Sequence, residues 1–268
     1  MSQLPPPSST STALITGASS GIGIELAKLL SARGYHLTLV ARRKERLEEV
    51  AEQLSGDGKP GADVMVCDLA DPEARGVMVG TLLGGEREVE ILVNNAGFGL
   101  TGRMFNNSAE RHTEMIRLNI EAVVDLMDRF SPGMVERGRG GILNVASTAG
   151  FQPLPGMAVY AATKSFVLSM SEAAHTELDE KGVLVTALCP GPVRTEFAEV
   201  ADLSGFEANT PDRMWMEADE TARIGIEGFE AGKRVVIAGN LNKISAAGGR
   251  HLPRWALLPL VRGLYGRN

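Results

Sequence analysis

The chain predicts a doubly wound α/β domain, a parallel sheet of about seven strands with helices on both faces. Three observations lead there. Short apolar runs rich in β-branched residues alternate with runs of helical spacing along the chain. A glycine-rich turn joins the first strand-like run to the first helical one. The polar candidates follow the ends of the strand-like runs, where such sheets bind ligands. With 268 residues, 44% of them hydrophobic, the chain can bury one full core. No linker or internal repeat divides it, so residues 12–249 read as one domain. A flexible tail, 1–11, precedes it and an extension, 250–268, follows.

The first strand is Thr12-Ala-Leu-Ile-Thr16. It runs into Gly17-Ala-Ser19-Ser20-Gly21-Ile22-Gly23 and then into the helical Ile24-Glu-Leu-Ala-Lys-Leu-Leu30. Strand, glycine turn and helix in this order make a site for a dinucleotide pyrophosphate. Gly17 permits the tight turn, Gly21 lets the backbone approach the phosphates, and Gly23 lets the helix pack on the strand. The helix N-terminus faces the anion. The spacing is Gly-x3-Gly-x-Gly, not the commoner Gly-x-Gly-x2-Gly, and a plain Gly-Ser connection is the alternative reading.

Leu37-Thr-Leu-Val40 is the second strand. A site for NAD usually places Asp or Glu at its end, to bind the ribose 2′-hydroxyl. Here Ala41 is followed by Arg42 and Arg43. A guanidinium can pair bidentately with a 2′-phosphate, so NADP(H) is the preferred cofactor and NAD(H) the alternative. Arg42 is the candidate for that phosphate; Arg43 belongs partly to the helix expected over 43–54. Further strands are expected at 64–67, 90–93, 142–145, 183–188 and 234–238. Helices are expected near 72–83, 108–130, 158–180 and 218–231. Asp68-Leu69, Asn94-Asn95-Ala96-Gly97, Ser147 and Pro190-Gly191 follow the third to sixth strands, and so share one rim.

Tyr160 and Lys164 are four residues apart and share a helix face. A free phenol, with a pKa of about 10, is a poor acid or base near neutrality. A nearby ammonium favours the phenolate and lowers that value. Such a tyrosine can exchange a proton with a reacting alcohol or carbonyl oxygen, and a serine at a preceding strand end could hold the same oxygen. Tyr-x3-Lys alone is common on surface helices; the glycine turn gives it weight.

Together, Thr16-Gly-Ala-Ser-Ser-Gly-Ile-Gly23, Cys67-Asp68-Leu69, Asn94-Asn-Ala-Gly97, Leu118-Asn119-Ile120, Ser147, Tyr160-x3-Lys164 and Cys189-Pro-Gly-Pro-Val-Arg-Thr195 carry a resemblance. From about residue 12 to 239 the chain resembles the short-chain dehydrogenase/reductase family in its single-domain branch. The resemblance implies a Rossmann-like sheet and hydride transfer between NADP(H) and a carbonyl or secondary alcohol. It implies a catalytic tetrad of Asn119, Ser147, Tyr160 and Lys164. Tyr160 would be the general acid in reduction, and Ser147 would orient the substrate oxygen. Lys164 would bind the nicotinamide ribose and lower the Tyr160 pKa, and Asn119 would hold a water linking Lys164 to solvent. Asn119 could instead make only a local hydrogen bond. The resemblance also places Asp68 and Leu69 at the adenine, and Asn95, Ala96 and Gly97 beside the adenosine ribose. Ser19, Ser20 and Ile22 would lie along the phosphates, and Val193 and Thr195 at the carboxamide. Pro190 and Gly191 belong to the same cofactor rim. Asn95 could equally be structural, tying the central strands together.

Residues 99–104, 150–157 and 197–216 should border the substrate, and their Phe, Leu and Met content favours an apolar carbonyl or alcohol. Phe151, Leu154 and Met157 either line that pocket or pack the loop. Segment 196–216 resembles the mobile substrate lid of the family. A non-catalytic NADP(H)-binding regulator or scaffold on the same fold is the alternative function.

The net charge of −6 argues against a broad nucleic-acid surface. No apolar stretch reaches the length of a membrane span, and the start lacks a signal-peptide pattern. Cys67 and Cys189 read as core thiols of a cytoplasmic protein, and none of the four histidines is assigned to a metal. The extension 250–268 is basic and apolar together. It is either an interfacial membrane segment or, the favoured reading, a piece packed on a neighbouring subunit or the substrate mouth. The family resemblance implies a homotetramer or homodimer.

Overall fold

Strand β1 (Ser11–Thr16) is buried along its whole length, with an apolar centre, Ala13-Leu-Ile15, between the buried hydroxyl residues Ser11, Thr12 and Thr16. Successive side chains point to opposite faces of a strand. Ala13 and Ile15 accordingly enter one core cluster, and Leu14 enters the other. The computed structural model describes residues 3–56, 58–197 and 210–265, with side chains described to residue 263.

Six further strands join β1: β2 (Leu37–Ala41), β3 (Ala62–Val66), β4 (Glu88–Asn94), β5 (Gly140–Val145), β6 (Val183–Cys189) and β7 (Val235–Ile237). The order is β3-β2-β1-β4-β5-β6-β7, and every neighbouring pair is parallel. On one face lie α1 (Gly21–Ala32), α2 (Lys44–Gln53) and α7 (Ala218–Glu230), through Leu26, Leu30, Leu47, Val50, Ile226 and Phe229. On the other lie α3 (Pro72–Leu83), α5 (Ala122–Arg137) and α6 (Ala158–Asp179), through Met78, Val79, Val123, Leu126, Met170 and Ala174. This is the expected doubly wound, Rossmann-like sheet. Its order reverses between β1 and β4, which opens a crevice beyond the strand ends.

The elements differ from the sequence expectation in instructive places. Residues 108–130, expected as one helix, form α4 (Ala109–Ile116), a π-helical turn over Arg117–Glu121, and then α5, which runs on past Pro132 to Arg137. A π turn inserts an extra residue without changing the apolar period much, so periodicity does not reveal it. Of the N-terminal residues, expected as a flexible tail, Leu4 and Pro5 are docked, while residues 6–10 are exposed. Leu4 packs on the core, and the Tyr35 hydroxyl donates to the Pro5 carbonyl at 2.6 Å. The expected boundary at residue 249 falls inside a helix, α8 (Asn240–His251), which leads into α9 (Arg254–Tyr265). Among the described residues no helix is long and apolar enough to cross a membrane.

Polar residues also cross the middle of the sheet. Asn94 Nδ2 donates to Asn144 Oδ1 at 2.8 Å, and Asn144 Nδ2 donates to Ser171 Oγ at 2.9 Å. Buried polar groups are stable only when so paired. This chain ties α6 to the two central strands and fixes its height on the sheet.

Candidate active site

A cleft of about 440 Å³ runs over the C-terminal ends of the strands. It is built on the turn between β1 and α1. Gly17 and Gly21 have φ of +65° and +52°, a region that L side chains rarely adopt. A Cβ at Gly23 would collide with the Gly17 carbonyl oxygen and stand 2.7 Å from Asn95 Nδ2. A Cβ at Gly21 would stand 2.9 Å from Thr195 Cγ2, so this glycine also admits the segment after β6. The hydroxyl of Ser20, at the N-cap of α1, makes no capping bond. A bare backbone cradle at a helix N-terminus, with a free hydroxyl beside it, fits a dinucleotide pyrophosphate.

Asn95 locks this cradle to the sheet. Its Nδ2 donates to the carbonyls of Thr16 and Gly17 at 3.0 and 3.2 Å. Thr16 Oγ1 accepts from the amides of Asn95 and Ala96, both at 3.0 Å. The ends of β1 and β4 are therefore held at a set separation. Asp68 shapes the loop after β3, its Oδ1 accepting from Ala70 N at 3.0 Å.

Arg42 and Arg43 both border the cleft at the end of β2. Arg42 is mostly exposed, with Nη1 3.8 Å from Glu114 Oε1. Arg43, taken in the sequence partly as a helix residue, sits at the N-cap of α2 with extended backbone, which turns its side chain away from the helix. Its Nη2 donates to the Ser19 carbonyl at 3.0 Å and its Nη1 to Glu196 Oε2 at 2.9 Å. It thus bridges the glycine turn and the segment after β6. The doubled arginine was the available signal for it; the backbone direction that aims it was not in the sequence.

Ser147, Tyr160 and Lys164 meet on the opposite wall. Ser147 caps a short 3₁₀ turn, Thr148–Phe151, accepting from Ala149 N at 3.1 Å and donating to the Pro190 carbonyl at 3.4 Å. Tyr160 and Lys164 lie on the first turns of α6, both buried. Lys164 Nζ donates to the Val145 carbonyl at 2.8 Å and stands 5.9 Å from the Tyr160 ring centre. The expected lowering of the tyrosine is not seen. Burial pushes the Tyr160 hydroxyl up to about 12, opposed only in part by a hydrogen bond with Ser147. Burial likewise pushes the Lys164 ammonium down to about 8. With the ammonium turned toward Val145, desolvation sets the direction of both groups.

Two expected residues do not reach the cleft surface. Gly23 lies within the turn, facing Gly17. Asn119 sits on the π turn, fully buried, with both polar atoms of its side chain hydrogen-bonded. Its Nδ2 donates to the Phe98 carbonyl at 2.9 Å and to Thr163 Oγ1 at 3.1 Å, and its Oδ1 accepts from Phe98 N at 3.1 Å. That side chain holds the loop after β4. Gly97 lets this loop pass close: a Cβ there would stand 2.9 Å from Asn119 Oδ1 and 3.5 Å from Lys164 Nζ. Every other expected residue, including Ser19, Ile22, Leu69, Ala96, Pro190, Gly191, Val193 and Thr195, lines the cleft.

Beyond Tyr160 the cleft turns apolar. Phe98, Leu118, Leu154, Met157, Phe197 and Trp215 line it, with Gln152 and Ser245 as polar exceptions. Phe197 leans on the Tyr160 ring, centroids 5.8 Å apart. Leu154 and Met157, left open in the sequence, do line the cleft; Phe151 packs instead beneath it with Val167 and Leu168. Met214 and Trp215, within the segment 197–216 expected to border the substrate, line the cleft as well. Residues 198–209, the centre of the expected lid, lie outside the described residues.

The short chain dehydrogenase family model matches residues 11–203. Sulfoacetaldehyde reductase 2 of Chromohalobacter salexigens is 36% identical over 217 residues, covering 79% of this chain and 85% of that protein. A short-chain dehydrogenase from Sphingobium yanoikuyae in complex with NADPH has a TM-score of 0.79 at 35% identity, covering 94% of each chain. The bulky-bulky ketone specific alcohol dehydrogenase from Comamonas testosteroni has a TM-score of 0.76 at 32% identity, covering 96% of this chain and 93% of that one.

Proposed function

The chain belongs to the short-chain dehydrogenase/reductase family, whose members are oxidoreductases acting on CH–OH and C=O groups, and we propose that it reduces neutral, apolar ketones or aldehydes with NADPH. The observation that carries this reading is the convergence of Tyr160, Ser147 and Lys164 on one wall of the cleft, next to an apolar end. When bound, the nicotinamide cofactor supplies the hydride.

Tyr160 supplies the proton. A phenol held at about 12 is protonated at neutral pH, the state a donor needs when a carbonyl oxygen becomes an alkoxide. Ser147 Oγ, held by Ala149 and Pro190, orients that oxygen. Lys164, at about 8, still carries charge at neutral pH and stabilises the phenolate left behind. Asn119 keeps the loop after β4 against Lys164 and so acts as a positioning residue. The glycine cradle would hold the pyrophosphate, and Arg42 and Arg43 the 2′-phosphate, through charge-assisted hydrogen bonds. The NADPH complex of the Sphingobium relative supports this choice of cofactor.

The substrate class follows from what the apolar end offers. Among the described residues, those named at the apolar end carry no charge, and Glu196, beside Phe197 in the lining, is paired with Arg43, so a carboxylate or sulfonate group would meet no free counter-charge there. The ketone specificity of the Comamonas relative points the same way. The test is NADPH oxidation with neutral ketones and aldehydes, set beside their carboxylated analogues. Tyr160→Phe should lower turnover by at least ~100-fold and leave NADPH affinity nearly unchanged. Undiminished turnover in that variant removes Tyr160 as the acid; preference for the carboxylated analogues removes the neutral-substrate reading.

A further inference from the structure

Helix α9 is apolar on two opposite sides. Leu257 and Val261, one turn apart, are buried in the cluster of Met115, Leu154, Met157 and Tyr160, behind the substrate end of the cleft. On the outer side Trp255 is 79% exposed, flanked by Leu258 at 44% and Leu260 at 56%. A helix with large exposed apolar residues opposite its buried side presents a second apolar surface that a partner can cover.

The surrounding charge says what that cover is. Residues 250–268 hold four arginines and no Asp or Glu, in a chain whose net charge is −6. Among the described residues Arg250 pairs with Glu172, whereas Arg254 and Arg262 have no carboxylate partner. A second copy packed on this face by two-fold symmetry would bring Arg254 and Arg262 of both copies together, like charge against like. An anionic lipid surface has the opposite charge. It also accepts a tryptophan at the boundary between apolar and wet.

We propose that the outer face of α9 docks on an anionic membrane surface. Trp255, Leu258 and Leu260 enter the headgroup boundary, while Arg254 and Arg262 pair with the lipid charges. The acidic body stays turned to water.

The test uses the full chain and vesicles of phosphatidylcholine, with and without phosphatidylserine, read by co-sedimentation. The wild-type protein should pellet with the anionic vesicles alone, and less so as salt is raised. Trp255→Glu with Leu258→Glu should abolish pelleting. Arg254→Glu with Arg262→Glu should lower the partition coefficient at least ~tenfold. Both variants should keep the wild-type circular dichroism and sedimentation coefficient. Failure of the wild-type protein to pellet, equal pelleting of wild type and the Trp255/Leu258 variant, or equal binding to both vesicle types overturns the proposal. So does a drop in oligomer size in that variant, which would make a second copy the cover. The readout needs no turnover, so it stands or falls apart from the reaction proposed above.

Discussion

At the cofactor end of the cleft, contact is made largely by backbone: the turn from Gly17 to Gly23, the loop from Asn95 to Gly97, and the carbonyls that Asn95 and Arg43 bind. At the substrate end it is made by side chains drawn from four separate segments, with Phe98, Leu154, Phe197 and Trp215 as examples. A backbone cradle tolerates almost no substitution, since an added Cβ meets main chain at Gly17 and Gly23, and packed side chains at Gly21 and Gly97. A side-chain wall can repack, and one apolar residue there replaces another at modest cost. One end is therefore suited to a single invariant ligand, the other to substrates that differ among related proteins.

The sharpest way to break this contrast is Gly23→Ala. Its Cβ would meet the Gly17 carbonyl, so it should destabilise the fold by about 3 kcal/mol and remove NADPH binding, as read by urea denaturation and cofactor titration. Normal stability with normal binding would show that the cradle yields after all.

Lys164, where the two ends meet, gives a pH test. Its folded-state pKa of about 8 lies below the ordinary 10.5, so between these values the unfolded chain binds more protons. Stability from this group should rise from pH 8 to 10.5 and be lost as pH falls through 8, by up to about 3 kcal/mol. Tyr160, at about 12, acts later, its contribution being lost above pH 10. Urea midpoints between pH 7 and 9.5 should climb for the wild-type protein relative to Lys164→Met. Parallel curves would mean that the ammonium is better solvated than its burial indicates.

Arg43→Ala should weaken NADPH by about 10- to 100-fold and NADH little, with a smaller loss for Arg42→Ala. An equal loss of NADH would assign Arg43 to holding the turn through Ser19. The smallest effect is expected at the other end. Phe197→Ala should change KM for bulky ketones by about tenfold and leave NADPH binding as it was. A loss of NADPH binding there would couple the two ends and end the contrast.

Much of the cofactor end was legible in the sequence, because Gly17, Gly21, Gly23 and Gly97 mark places where only a missing Cβ allows the chain to pass. Tyr160 and Lys164 were legible because helical spacing puts them on one face. The role of the Asn119 side chain was not, since its partners Phe98 and Thr163 are each more than twenty residues distant. Nor was the aim of Arg43, which depends on the backbone angle at the start of α2.

By itself, the sequence determined the alternation of strand and helix, the glycine turn and the residues that reach one rim of the sheet. These depend on local conformation and on periodicity, which neighbouring residues carry. Only the tertiary structure decided the π turn beneath Asn119, the docking of Leu4 and Pro5, the raised pKa of Tyr160 and the packing of α9 behind the substrate end. Each of these depends on what distant segments exclude or supply: water, a carbonyl, or an apolar surface.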